Sequence, residues 1–147
     1  MEVGSTVWTE AVAALPGTTL CRPPVSEAAL LRCATLLGHA VPADLASLLR
    51  ESNGIEDEYG DGLIWSAESI TSENRNLRGD VAFSTLYMPF DPLLFFADAG
   101  NGDLFALLST IDRPDVFAWN HEDDSRTWVA PSLTMYLEWR LTGKIEL

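Results

Sequence analysis

The residues of this sequence most able to do chemistry are its carboxylates. Their most suggestive setting is Asp98-Ala99-Gly100-Asn101-Gly102-Asp103. Two carboxylates flanking Gly, Asn and Gly can be written as a metal loop, a phosphate-binding loop or a β-turn. A calcium loop requires D-x-[DN]-x-[DN]-G and a later Glu, and DAGNGDLFALLS has neither the spacing nor the Glu. A phosphate loop requires a following helix and usually a lysine, whereas here an apolar run follows with no base near it. Gly and Asn accept the positive φ angles of a tight hairpin cheaply. The stretch therefore predicts a structural turn made of Asp98, Gly100, Asn101, Gly102 and Asp103, with no metal and no cofactor.

The other carboxylates gather in two places. Glu56, Asp57, Glu58 and Asp61 lie in IEDEYGDG, and Glu122, Asp123 and Asp124 lie in NHEDDSR. Acid–base catalysis needs one carboxylate in an apolar pocket with a raised pKa, and runs of acids in turns predict a solvated surface instead. NHEDDS is not the H-E-x-x-H of a zinc site. His39 and His121 are the two histidines, and no G-x-S-x-G supplies a nucleophile elbow. No catalytic residue is assigned. Trp119 directly precedes the second acidic run, and a rim Trp beside carboxylates can anchor a partner. The candidate partner-binding residues are thus Glu56, Asp57, Glu58, Asp61, Tyr87, Trp119, Glu122, Asp123 and Asp124.

Helices and strands must position these groups. STVWTEAVAALPG predicts a helix capped by Ser5 or Thr6, with Trp8, Val12 and Leu15 on one face. A Pro-rich connector, CRPPV, follows. Ser26 caps EAALLRCATLLG, whose stripe is Leu30, Cys33, Ala34 and Leu37, and Gly38 suits a left-handed end. Pro42 fits the first position of a third helix, with Leu45, Leu48 and Leu49 inward and Asn53-Gly54 ending it. LIW reads as a short strand, and Ser66 caps a polar helix to about Leu77 with Ile70 toward the core. LLFFA, DLFALLS, DVFAWN and TWVA then predict successive hairpins, with Trp65, Trp119 and Trp128 buried by default. Pro131 opens a closing helix that turns Leu133, Tyr136 and Leu137 inward. The order predicts an α+β fold over residues 1–147. One antiparallel β-sheet meander packs against N-terminal helices and a C-terminal helix in a single domain.

Bulk properties narrow the function classes. The length, 147 residues, suits one domain that needs no disulfide or metal to build a core. Twenty-two acids against nine bases give a net charge of −13, which disfavours nucleic acid as a direct partner. Such a field serves solubility, or draws in a basic protein. Cys21 and Cys33 form no disulfide framework or C-x-x-C pair, and no leader or membrane-length apolar run is present, so the expected location is the cytoplasm.

The order of motifs resembles the SUKH superfamily, which holds bacterial toxin-immunity proteins and relatives of a fungal cell-wall-synthesis regulator. LGHAVPADLASLLRESNG is similar to that group's "lG..lP.d…l…NG" signature, and LIWSAESITSENRNL to its strand followed by "s.eei…n". LLFFADAGNGDLFALL resembles its "dll.f…ggGd.y.l" hairpin, and VFAWNHEDD with VAPSLTMYLEWRL its "v..wdhe" segment and last helix. The likeness spans about residues 26–142, with 1–25 as an added helix and connector. It implies an α+β fold, a protein that binds partners, and no catalytic residues to transfer. For bacterial members it implies an immunity protein that occupies a toxin, often a nuclease. The expected partner is a basic cognate toxin domain. Two alternatives stay open at the level of sequence: a cytosolic regulatory scaffold, and an enzyme with a carboxylate-based site.

Overall fold

The computed structural model describes residues 7–80 and 86–145, so Ser5 and Thr6, the expected caps of the first helix, lie outside the described residues. Three helices open the fold: α1 (Val7–Ala13), α2 (Glu27–Leu37) and α3 (Ala43–Glu51). Ser26 caps α2 by accepting the Ala29 N–H, and Gly38 ends it at φ 82°. Pro42 stands one position earlier than the sequence suggests. It occupies the N-cap site of α3, where it has no side-chain oxygen to offer. Helix α1 is pinned to α3, since Glu51 Oε1 accepts the N–H groups of Trp8 and Thr9 at 2.9 and 3.1 Å.

Two sheets follow, where the sequence suggested one. The small sheet has the order β1-β2-β3 and joins β1 (Leu20–Cys21), β2 (Ile55–Glu56) and β3 (Gly62–Ile64), all antiparallel. Part of the presumed connector and part of the presumed acidic loop are therefore strands. At two or three residues they are too short to show a period-two pattern. Helix α4 (Ala67–Gly79) is capped by Ser66, which accepts the Ser69 N–H, and runs slightly past Leu77. The larger sheet is a meander in chain order: β4 (Leu93–Asp98), β5 (Leu104–Leu108), β6 (Val116–Trp119) and β7 (Arg126–Ala130). The two sheets adjoin where the Trp65 N–H donates to the Phe96 carbonyl at 2.7 Å. Ser132 rather than Pro131 starts the last helix, α5 (Leu133–Leu141), accepting the Met135 N–H.

Strand β4 is buried on both faces, which explains its unbroken apolar run. Leu94 and Phe96 join the main core with Leu45, Leu48, Leu49, Ile70, Leu133, Tyr136 and Leu137. Leu93 and Phe95 face a second cluster with Phe90, Ala106 and Trp119. Helix α4 reaches β4 through Asn74, which is fully buried. Its amide donates to the Phe95 and Ile70 carbonyls at 2.8 and 2.7 Å, and its oxygen accepts the Phe95 N–H at 2.8 Å. Trp128 departs from the expected burial: it is 48% exposed, because β7 is the edge strand of the meander.

Candidate functional site

The segment from Asp98 to Asp103 joins β4 to β5. Asp98 is paired with Leu104, and the Ala99 N–H donates to the Asp103 carbonyl at 3.0 Å. The Asp103 N–H donates to Asn101 Oδ1, and Gly100 and Gly102 sit at φ 85° and 97°. Both glycines also make room for neighbours. A Cβ on Gly100 would stand 2.7 Å from Asp61 Oδ1, and one on Gly102 would stand 2.9 Å from the His121 ring. This hairpin tip is thus wedged between the two acidic segments, Asp61 on one side and His121 on the other. Asp103 is 7% exposed and clamps the second segment by accepting the His121 N–H at 3.2 Å and its Nδ1 at 2.7 Å. A carboxylate only accepts, so Nδ1 carries the hydrogen.

Gly100→Val is expected to cost about 1–3 kcal/mol of stability, the scale of backbone strain at positive φ, with displacement of Asp61 added. Urea unfolding checks it. Calcium and magnesium should leave the deficit unchanged, and metal-dependent recovery would overturn the turn assignment.

The structure separates the candidate carboxylates into two kinds. Glu56 lies in β2 and is ion-paired with Arg22. Asp124 turns inward, contrary to its expected place on a solvated turn, and adopts φ 60°. It accepts the Trp119 indole N–H at 2.7 Å, the Met88 N–H at 2.9 Å and the Arg126 guanidinium at 3.1 Å. Burial works against its charge, but those three donors outweigh it and hold Asp124 below the usual carboxylate value. Trp119 takes the buried place expected of it by default and not the rim place of an anchor, since it is 4% exposed. Its ring sits 5.5 Å from Tyr87 and 5.3 Å from Phe90, which cover that face of the sheet. Tyr87 is half-buried and donates its hydroxyl to the His121 carbonyl at 2.8 Å.

The remaining acids lie on the two segments that flank the β4–β5 tip and form an acidic rim there. Asp57 Oδ1 accepts the Tyr59 and Asp61 N–H groups at 2.9 Å and so shapes the β2–β3 loop. Glu58 stands exposed on that loop, and Glu122 and Asp123 are exposed on the β6–β7 turn. The Ser125 N–H holds the Asp123 carboxyl below its ordinary value. Tyr59, at the tip of the β2–β3 loop, is 82% exposed. Sequence reasoning passed it over, although an aromatic ring inside Asp57-Glu58-Tyr59-Gly60-Asp61 was the available signal. Two nearby cations point inward: Arg126 bonds to the Met88 and Pro89 carbonyls, and Arg140 to the Asp98 and Gly62 carbonyls.

Beside the rim runs a groove of about 660 Å³, lined by Pro23, Pro24, Gly60, Gly62, Trp65, Ser69 and Asp98 among others. The Trp65 indole N–H donates to Asp98 Oδ2 at 2.8 Å. Gly62 permits that approach, since a Cβ there would lie 2.7 Å from both Asp98 Oδ2 and the Trp65 ring. Tyr136 braces the floor from below. Its hydroxyl donates to the Leu63 carbonyl at 2.8 Å and accepts from Arg140 at 2.7 Å, and burial raises its pKa to about 12.

Among the described residues, no three His, Cys, Asp or Glu side chains converge to hold a metal ion, and no helix is long and apolar enough to cross a membrane. In comparisons with known proteins, the model of the SMI1 / KNR4 family (SUKH-1) matches residues 24–139. That span covers α2 through most of α5 and leaves α1 and β1 outside. No curated protein gives a significant match.

Proposed function

The chain belongs to the SMI1 / KNR4 family (SUKH-1), and on that premise we propose that it is an immunity protein that neutralises a basic cognate toxin domain by stoichiometric binding. The observation that carries this reading is the acidic rim. Two carboxylate-bearing turns far apart in sequence flank the β4–β5 tip, with an exposed tyrosine on one of them. A toxin that acts on nucleic acid must present cationic surface to phosphates, and an acidic rim can cover that surface. Binding without turnover suits a rim whose best-held groups, Asp103, Asp124 and Trp119, are committed to structure. A stable blockade would bury about 1,200–2,000 Å² in total.

The quadruple variant Glu58→Gln, Asp61→Asn, Glu122→Gln, Asp123→Asn tests it. Each substitution keeps a side-chain acceptor oxygen, so the variant should melt at about the same temperature as the wild type. Its association rate with the cognate toxin domain should fall about tenfold at low salt, and its salt dependence should flatten. Stopped-flow measurement reads both. An unchanged rate with unchanged salt dependence removes the rim from the interface.

A further inference from the structure

The groove beside the rim holds one carboxylate that the fold does not fully use. Asp98 Oδ2 accepts the Trp65 indole N–H, while Oδ1 receives no hydrogen bond among the described residues. The carboxylate is fixed in place by three neighbours. Gly62 leaves the space it fills, Trp65 holds one oxygen, and Arg140 binds the Asp98 carbonyl. Pro23 and Pro24 also line the groove, rigid and without N–H donors. Two other charges line the groove, Arg22 and Glu56, and they satisfy each other. The lining therefore keeps a net charge of −1, and Asp57, Glu58 and Asp61 of the adjoining loop add to it. Such a slot, lined by an indole and a half-engaged carboxylate, matches a planar cation that can stack and pair at once.

We infer that the groove lined by Pro23, Pro24 and Trp65 is a binding site for an arginine side chain of the protein partner, with Asp98 Oδ1 as its acceptor. The inference rests on the reading of the rim as a partner surface, and it names what enters beside that rim. Arginine is preferred over lysine because its guanidinium is flat, weakly hydrated and able to donate two parallel bonds. Arg22 does not bar entry while Glu56 holds it.

The probe is the blocked tripeptide acetyl-Gly-Arg-Gly-amide, titrated into the whole protein while the indole N–H signals are followed by NMR. The Trp65 signal is identified by its loss in Trp65→Phe. A saturable shift of that signal is expected, with weaker binding of the lysine tripeptide and none of the glutamate one. Asp98→Asn keeps an acceptor for the indole but loses the charge. It should weaken arginine binding about tenfold, the equivalent of one charge-assisted hydrogen bond. Glu58→Gln removes the same charge outside the groove and should change binding less than twofold. Equal losses in the two variants would mean diffuse attraction and would overturn the groove assignment. So would shifts confined to the indole signals of the other tryptophans, or no shift at all. None of these outcomes touches the rim itself, which stands or falls on the toxin association rate.

Discussion

Asn74→Asp is expected to lower the melting temperature by about 10 °C. The change exchanges one NH2 group for an oxygen and nothing else, yet that group donates to two buried carbonyls, of Ile70 and Phe95. The new carboxylate would face both carbonyl oxygens at under 3 Å of separation, in a site that is 0% exposed. Two lost donors and a buried uncompensated charge together cost about 3–5 kcal/mol. At roughly 2–4 °C per kcal/mol for a chain of this size, the shift is about 6–20 °C. Ionisation in that site is so unfavourable that the variant should recover part of its stability in acid, where the carboxyl is protonated and can donate again. Asn74→Ala offers a milder comparison. It leaves the Phe95 N–H without a partner and opens a small cavity, for about 2 kcal/mol. Calorimetry of the three proteins checks the order: wild type, Ala, Asp. An Asp variant that melts with the wild type would mean that α4 is not joined to β4 through this amide.

Asn74 also shows where sequence ceases to be legible. Helix α4 was readable from Ser66 and Ile70, since an N-cap and one apolar residue are local signals. The role of Asn74 depends on Phe95, twenty-one positions away, and a polar residue on a polar helix gives no hint of it. The same holds for the small sheet. Strands β1 and β2 are two residues each, and their pairing joins Leu20 to Glu56 across the whole of α2 and α3. The hairpins of the larger sheet were legible because their apolar runs are longer and their partners adjacent. At the site, the turn-forming Gly and Asn residues were readable from local chemistry. What the acids do was not. Asp123 and Asp124 are neighbours of one type in one turn. The backbone at Asp124 takes a positive φ and swings its carboxylate onto Trp119 and Arg126, while Asp123 stays in water. Only the fold distinguishes them.

Under the proposed function, that distinction moves the expected anchor from Trp119 to Tyr59. Trp119 has the ring and the position in sequence, but its indole is spent on Asp124 and its faces on Tyr87 and Phe90. Tyr59 is 82% exposed, and its side chain makes no hydrogen bond among the described residues. Its backbone is held by the Asp57 carboxylate, so the ring is presented on a braced loop at low entropic cost. Exposed aromatic residues of this kind dominate interface energetics when they enter a partner's pocket, at 2 kcal/mol or more on truncation. Tyr59→Ala is therefore expected to weaken toxin binding about thirtyfold or more, with a melting temperature within about 1 °C of the wild type. The loss should appear in the dissociation rate, because packing against a ring acts after encounter. The rim carboxylates should act on the association rate instead, by steering. Tyr59→Phe separates ring from hydroxyl, and retention of most of the affinity would assign the anchor to the ring. Surface binding kinetics with the cognate toxin domain give both rates for each variant. Should Tyr59→Ala leave the dissociation rate unchanged, the β2–β3 loop would steer the toxin without gripping it, and the anchor would have to lie elsewhere along the rim or in the Trp65–Asp98 groove.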